Sequence, residues 1–364
     1  MTVESRDVAG RPPREDLRRV VLECGFDRVG FAAAGRAPGA DRLRDWLRRG
    51  FEADMRYMAR SIERREDPRK VLDGARTVIA VALYYAPPGK VAGGPGRSGV
   101  ACISSYARGR DYHEVLRRRL RNACEKLARV HPGAYRYHVD TGPVLEKDWA
   151  HAAGIGWIGK NTCVIHPRYG SYFFLGAILT TLQIDPDPPA ADHCGSCRRC
   201  IDACPTGALV APHELDSRRC ISYLTIENRG AFPAEFAAGS GNLVFGCDIC
   251  QDVCPFNRRA QGTCDPELLP RPENLLPSIE ELATMDARTF LERFRGTPVL
   301  RSRFEGFLRN VMVALGNEAS PESGAILRSL ARRADVEASR VLQETLRCTL
   351  QRFMPSGPMH SPTA

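Results

Sequence analysis

CGSCRRCIDACP, Cys194 to Pro205, is the stretch on which the reading of this chain turns. It spaces Cys194, Cys197, Cys200 and Cys204 as C-x2-C-x2-C-x3-C-P, a run that gives three thiolates to one 4Fe-4S cubane and sends the fourth to a neighbouring cluster. A single such run therefore implies a second. CDICQDVCP supplies it, with Cys247, Cys250 and Cys254 as C-x2-C-x3-C-P, and Cys220 stands between the two runs as the missing ligand. Exchanging the fourth ligands gives Cys194, Cys197, Cys200 and Cys254 to one cluster and Cys204, Cys220, Cys247 and Cys250 to the other. Zinc is the competing reading, but zinc ribbons use two separated C-x2-C knuckles and have no need of Cys-Pro endings. The remaining cysteines, Cys24, Cys102, Cys124, Cys163, Cys264 and Cys348, have no ligand spacing and read as small core residues or incidental surface thiols.

From His193 to about Pro270 the chain is dense in Cys, Gly and Pro and short of periodic pattern, so ligands more than a core must hold it together. The linker DPDPPAAD marks the boundary before it. Upstream, Leu17, Val20 and Val21 have helical spacing, and TVIAVALYY (Thr77 to Tyr85) suits a buried strand. A basic helix carries Val115, Leu116, Leu120, Ala123, Leu127 and Val130 at three- and four-residue spacing, and AYRYHVD alternates like a strand that ends at Asp140. A strand pair is expected around TCVIHP and SYFFLGAILTTLQI. This order of strands and helices predicts an α/β domain. Downstream, PSIEELATMDARTFLERF, EGFLRNVMVALGN, SGAILRSLARRA and SRVLQETLRCTLQRF read as successive amphipathic helices, similar to stacked HEAT-like hairpins. The expected layout is an α/β domain over 1–190, a ferredoxin-like double-cluster domain over 191–270, a helical-repeat domain over 271–355 and a disordered tail over 356–364. The fold class is thus α+β / α/β.

The length of 364 residues suits two or three domains, and 43% apolar content excludes a disordered or fibrous chain. The longest nearly uninterrupted apolar stretch, Tyr172 to Leu182, is about half of the ~20 residues that a membrane span requires. The leading MTVESRDVAGRPPRED has no apolar h-region, so a cytoplasmic location without membrane attachment is expected. Fourteen cysteines in such a chain point to metal or redox chemistry in preference to disulfides. The net charge of +9 is local, with 12 Lys/Arg against 5 Asp/Glu over residues 71–140. That suits a polyanion partner. Only five of the basic residues are Lys, however, and GC-rich coding produces the same Arg bias. Arg117, Arg118, Arg119 and Arg121 of the basic helix read first as a solvated face.

Clusters carry single electrons, so the segment before them is either a docking module or the place of chemistry, and the residues favour chemistry. Asp140 falls where a strand ends, which is where α/β sites open. A free Asp titrates near ~3.9, so to donate a proton at neutral pH it needs burial against apolar surface or another anion. Its alternative role is a cap or turn residue before Thr-Gly-Pro. No G-x-x-x-x-G-K-[ST] run is present, and GIGWIGK (Gly154 to Lys160) lacks the helix context of a dinucleotide fingerprint, so flavin and nicotinamide are unsupported. DYHEVL is close to the D-x-H-x-x-G run by which some cobalamin enzymes supply a histidine ligand, but Leu116 stands where Gly would be. His113 therefore reads as a structural or hydrogen-bonding residue in preference to a cobalt ligand.

Further stretches extend the pattern: YARGRDYH (Tyr106 to His113), VDTGPVLEKDWA (Val139 to Ala150), GWIGKNT (Gly156 to Thr162), CISYLTIE (Cys220 to Glu227), GCDICQDVCPFN (Gly246 to Asn257) and LRNVMVALGN (Leu308 to Asn317). Together with the first cysteine run they resemble the epoxyqueuosine reductase family, cobalamin-dependent enzymes that complete queuosine in tRNA. The resemblance implies a base-off cobalamin with no protein ligand to cobalt, seated between the N-terminal domain and two 4Fe-4S clusters. It implies Asp140 as the catalytic acid, and by position in the family-like motifs Arg65, Asn161, Thr162 and Ser171 as cofactor contacts. The substrate it implies is tRNA carrying epoxyqueuosine, held by the basic segments and the C-terminal helices, with an unidentified electron donor and a monomeric protein. Two other readings compete. One is a corrinoid and iron-sulfur reductive dehalogenase, an enzyme type that carries an export signal not read in these N-terminal residues. The other is a non-catalytic ferredoxin-type electron carrier, which would bind no corrinoid.

Overall fold

The computed structural model describes residues 13–86, 97–260 and 262–353, and the expected tail over 356–364 lies outside them. Its strands are β1 (Arg28–Ala33), β2 (Thr77–Tyr84), β3 (Cys102–Ile103), β4 (Tyr135–His138), β5 (Trp157–Ile158), β6 (Val164–Ile165), β7 (Phe173–Thr180), β8 (Leu209–Ala211), β9 (Glu214–Leu215) and β10 (Leu243–Phe245). Four of them form a sheet in the order β1-β2-β7-β4, and every neighbouring pair is antiparallel. Successive side chains of central β2 enter two different cores. Ile79, Val81 and Leu83 pack with residues of the helices Arg14–Leu22 and Tyr112–Val130, while Val78, Ala80 and Ala82 join Trp149 and Ala150 of the helix Glu146–Ala152.

This sheet corrects the expected α/β domain. The N-terminal unit is a mixed α+β structure with helices on both faces of an antiparallel sheet. Burial on both faces makes β2 a continuous apolar run, the same pattern that a parallel strand shows, so the run could not reveal strand direction. The expected strand pair is also corrected: β6 pairs with β5 in a small hairpin, and β7 pairs with β2 and β4. The edge strand β4 sets Tyr135 opposite Thr180 and His138 opposite Ala177, and Asp140 follows just beyond it.

Helices Ile279–Thr284, Arg303–Glu318, Pro321–Leu330 and Arg340–Leu350 build the C-terminal part, and every residue from Gly306 to Gly316 is buried. Their core includes Ile103 and Ala107 from the N-terminal region and Val244 and Phe245 from the cysteine-rich region, where β3 runs parallel to β10. No helix among the described residues is long and apolar enough to cross a membrane.

Arg309, 1% exposed, joins these regions. Its guanidinium donates to the carbonyls of Leu224 at 2.6 Å, Gly230 at 2.7 Å and Asn228 at 2.8 Å, and to Asn310 Oδ1 at 2.8 Å. Asn310 Nδ2 donates in turn to the carbonyls of Thr225 and Val244 at 2.8 and 2.9 Å. Burial lowers the Arg309 pKa to about 10, which leaves it charged at neutral pH. Arg309→Met keeps the volume but strips the buried carbonyls of Leu224 and Asn228, and that of Gly230, of their donor. It is expected to destabilise the fold by about 3 kcal/mol or more, read as a lower urea midpoint.

Candidate active site and cluster centres

The eight predicted ligands fall into two groups. Burial raises the Cys200 thiol, and the charges of Cys194 and Cys254 add to the shift. Cys254 is raised by burial first, then by Cys194 and Cys197. In the second group burial raises Cys220 and Cys247, with Cys204 acting on both and Cys220 also acting on Cys247. Cys250 is raised by its hydrogen bond with Cys163 and by burial, with contributions from Cys247 and Cys220. The crossed assignment read from the spacing remains the proposed arrangement for these neighbours. Among the described residues, no three ligating side chains converge as they do around a single metal ion. The donor chemistry, two separate groups of four thiols, fits two cubanes better than zinc.

The β5–β6 hairpin bridges the two cysteine runs. Trp157 Nε1 donates to Cys194 Sγ at 3.4 Å, and Lys160 Nζ donates to the carbonyls of Gly195 and Cys197 at 2.5 and 3.0 Å. Asn161 Nδ2 reaches the Cys250 carbonyl at 3.4 Å, and its Oδ1 accepts the Cys163 N–H at 3.2 Å. Thr162 holds φ at +64°, an unusual conformation for a β-branched residue, and its N–H closes the turn on the Gly159 carbonyl at 2.8 Å. Ser171 Oγ donates to Gln251 Oε1 at 2.9 Å, and its N–H donates to Asn257 Oδ1 at 2.7 Å. Three of the four expected cofactor contacts therefore cluster at or beside the second cysteine run. Arg65 stands apart: it donates to the Gly142 carbonyl at 3.3 Å and the Tyr57 carbonyl at 3.2 Å, and its buried Nε has no partner.

Asp140 is built from the start of the basic helix. Asp111 caps Tyr112–Val130 by accepting the His113 N–H at 3.0 Å, and the same Oδ1 bonds His113 Nδ1 at 2.8 Å. This cap aims the first turn across to Asp140, whose Oδ2 accepts the Tyr112 hydroxyl at 2.6 Å and bonds His113 Nε2 at 3.2 Å. Phe174 stacks on the Tyr112 ring at 4.2 Å and fixes it. Asp140 itself has φ +48°, a conformation that costs about 1–2 kcal/mol for a non-glycine residue.

Solvent reaches 63% of the Asp140 side chain, yet protein surrounds it, so the carboxylate sits in a recess open on one side. Burial works to raise its pKa, but the hydrogen bonds from His113 and Tyr112 prevail and hold it below the ordinary value. Burial also opposes charge on His113, and Asp111 and Asp140 overcome it to raise His113 to about 9. At neutral pH the pair is thus a carboxylate and an imidazolium. Close by, burial and the Asp140 charge push Glu146 up to about 8.

The strand expected to end at Asp140 ends at His138, so Asp140 lies two residues beyond it, and His113 is a hydrogen-bonding residue. The basic helix is partly neutralised, since Arg118 pairs with Glu267 and Arg119 with Asp265 at 2.6 Å. Sequence reasoning missed Tyr112, Glu146, Lys160 and Cys163. Cys163 lies close enough to Cys250, one of the proposed ligands, for the two thiols to shift each other's pKa. Glu146 had a faint signal, a carboxylate directly after the apolar Pro143, Val144 and Leu145.

The fold and site define an iron-sulfur protein with a double-cluster region and a separate recess that holds an Asp-His pair. The chain belongs to the epoxyqueuosine reductase family. A family model described as "4Fe-4S double cluster binding domain" matches residues 193–257, and one described as "Epoxyqueuosine reductase QueG, DUF1730" matches residues 65–141. The chain is 41% identical to epoxyqueuosine reductase of Xanthomonas campestris over 91% of its own length and 95% of that protein. It is 44% identical to that of Gloeobacter violaceus, over 84% of this chain and 96% of the other. Among solved structures, it is similar to an epoxyqueuosine reductase with an epoxyqueuosine-modified tRNA-Tyr stem loop, with TM-score 0.84, 32% identity and coverage of 93% and 89%. A Bacillus subtilis epoxyqueuosine reductase, with its catalytic aspartate loop swung out of the active site, matches with TM-score 0.83, 32% identity and coverage of 93% and 90%.

The two thiol groups make a specific prediction. Cys204→Ala and Cys220→Ala should each remove one cluster, about four irons, and the double variant should lose no more. Cys204→Ala combined with Cys254→Ala should lose both clusters. Iron analysis of anaerobically purified variants reads the difference, and additive loss for the first pair would refute the grouping.

Proposed function

We propose that this chain reduces epoxyqueuosine to queuosine at the wobble position of tRNA, with Asp140 as the group that hands a proton to the departing oxygen. The observation that carries the reading is the recess itself: one carboxylate, oriented by Tyr112 and His113 and flanked by an imidazolium. Cobalamin fits the residues present. Both ring nitrogens of His113 are engaged, by Asp111 and Asp140, so it has no free nitrogen for cobalt, in keeping with a base-off corrinoid that takes no protein ligand. Arg65 Nε is a buried donor without a partner, suited to a corrin amide, and Asn161, Thr162 and Ser171 offer hydrogen-bonding groups on the cluster side. When bound, the clusters supply single electrons and the cobalamin a low-valent nucleophilic cobalt.

The chain's own residues handle the proton and the geometry. His113 stores a proton next to Asp140, and Tyr112 fixes the carboxylate so that a proton passing from His113 leaves toward the recess. Arg65 holds the turn after Asp140 through the Gly142 carbonyl. Residues 1–190 then carry the recess, 191–270 the clusters, and the helices over 271–355 meet the anticodon stem-loop in a cytoplasmic, monomeric enzyme. With Arg118 and Arg119 already paired, phosphate contacts fall to other basic residues.

Asp140→Asn is expected to keep iron content and corrinoid binding while lowering conversion of epoxyqueuosine tRNA by about 10²–10⁴-fold. Near-normal turnover would remove the acid assignment, and absence of corrinoid binding by the native protein would favour an electron carrier. The affinity for tRNA should fall steeply and log-linearly with salt as counterions are released. A flat response would mean that the positive charge contacts no phosphate.

A further inference from the structure

Removing an epoxide oxygen as water, to leave an alkene, consumes two electrons and two protons. The electrons belong to the reductive activity proposed above, on which this inference rests. The protons must come from the recess, and Asp140 is itself ionised there. His113 provides one. Glu146, the first residue of the helix Glu146–Ala152, is a buried carboxyl on which the Asp140 charge acts. Its Oε1 is fully buried and has no hydrogen-bond partner, an unusual state for a carboxylate.

We propose that Glu146 is the second proton store of the reaction, a neutral carboxylic acid that recharges Asp140 between the two bond cleavages. In the first step Asp140, protonated by His113, gives its proton to the epoxide oxygen as one C–O bond breaks. Asp140, again a carboxylate, then takes the Glu146 proton and passes it to the resulting hydroxyl as the second C–O bond breaks, which releases water and forms the alkene. Both carboxyls end as anions and His113 as neutral imidazole, and solvent restores all three.

The surroundings support a neutral Glu146. Burial and the Asp140 charge disfavour its anion, while Arg65 and the backbone N–H groups of Glu146 and Asp140 favour it less strongly. Lys147 follows in sequence but acts on Asp140. The balance places Glu146 at about 8 and His113 at about 9, so at pH 7 the recess holds two protons beside one accepting carboxylate. That number equals the requirement of the reaction.

The test compares wild-type, Glu146→Gln and Glu146→Asp holoenzymes on epoxyqueuosine tRNA across pH. For wild type, activity should decline as pH rises through about 8, where Glu146 loses its proton. Glu146→Gln, which keeps the shape, should retain KM, iron and corrinoid content, lose about 10–100-fold in kcat, and shift its alkaline decline up toward the His113 value of about 9. Glu146→Asp should restore part of the rate. Infrared difference spectra of the protein without substrate should show a protonated carboxylic acid at pH 7 that is absent from Glu146→Gln. An active wild type matched by Glu146→Gln in kcat and pH profile, or identical infrared carboxyl signals, would overturn this proposal alone. A wild type inactive on the substrate overturns the parent reading and this one with it.

Discussion

Asp248 lies between Cys247 and Cys250, two ligands of the same cluster group, and is 7% exposed. A buried carboxylate must be bonded, and this one is: Oδ1 accepts the Ser104 hydroxyl at 2.5 Å and Oδ2 the Ser105 N–H at 2.7 Å. The contact is close enough that a Cβ on the preceding Gly246 would come within 2.5 Å of Ser104 Cβ, and Gly246 also needs its φ of +70°. Ser104 and Ser105 begin the segment that ends at the Asp111 cap, and the cap aims His113 at Asp140. One carboxylate thus fixes the cysteine loop to the element that positions the acid. The cysteine loop and the helix start that bonds Asp140 are thus linked through one buried carboxylate.

The site also separates its charges. Thiolates and clusters concentrate negative charge, and Lys160 answers it on the first cysteine run, where its ammonium bonds two loop carbonyls. The second run has the buried guanidinium of Arg108, bonded to the Ile103 carbonyl at 2.7 Å, whose charge offsets part of the burial effect on Asp252. His113 and Glu146 stand instead at the starts of two helices, on either side in sequence of Asp140, which follows β4.

What was legible in the sequence followed from one-dimensional constraints. A cubane demands thiolates at fixed short intervals, so the double-cluster region could be read from spacing. The helix Tyr112–Val130 was legible because its apolar stripe has the helical period. Strand direction was not, since β2 is apolar whether its neighbours run parallel or antiparallel. Glu146 and Cys163 were illegible for another reason. Each matters through a neighbour brought by folding, Asp140 in one case and Cys250 in the other, and neither spacing nor composition encodes that juxtaposition. Arg309 shows the intermediate case: its motif was noticed, but its purpose, three carbonyls on another segment, emerged only in the fold.

The depressed pKa of Asp140 looks at first opposed to a role as acid, yet it follows from an open recess. Water still reaches the side chain, and the hydrogen bonds from His113 and Tyr112 outweigh burial and hold the anion. A substrate that fills the recess removes the water but leaves the His113 proton in place. Loss of solvation then penalises the carboxylate and the imidazolium together, and proton transfer from His113 to Asp140 annihilates both charges at once. The neutral pair is the form favoured in a closed, low-dielectric site, and it has the proton on Asp140. In the proposed reaction the acid is therefore made by substrate binding, and Asp140 stays ionised while the recess is empty.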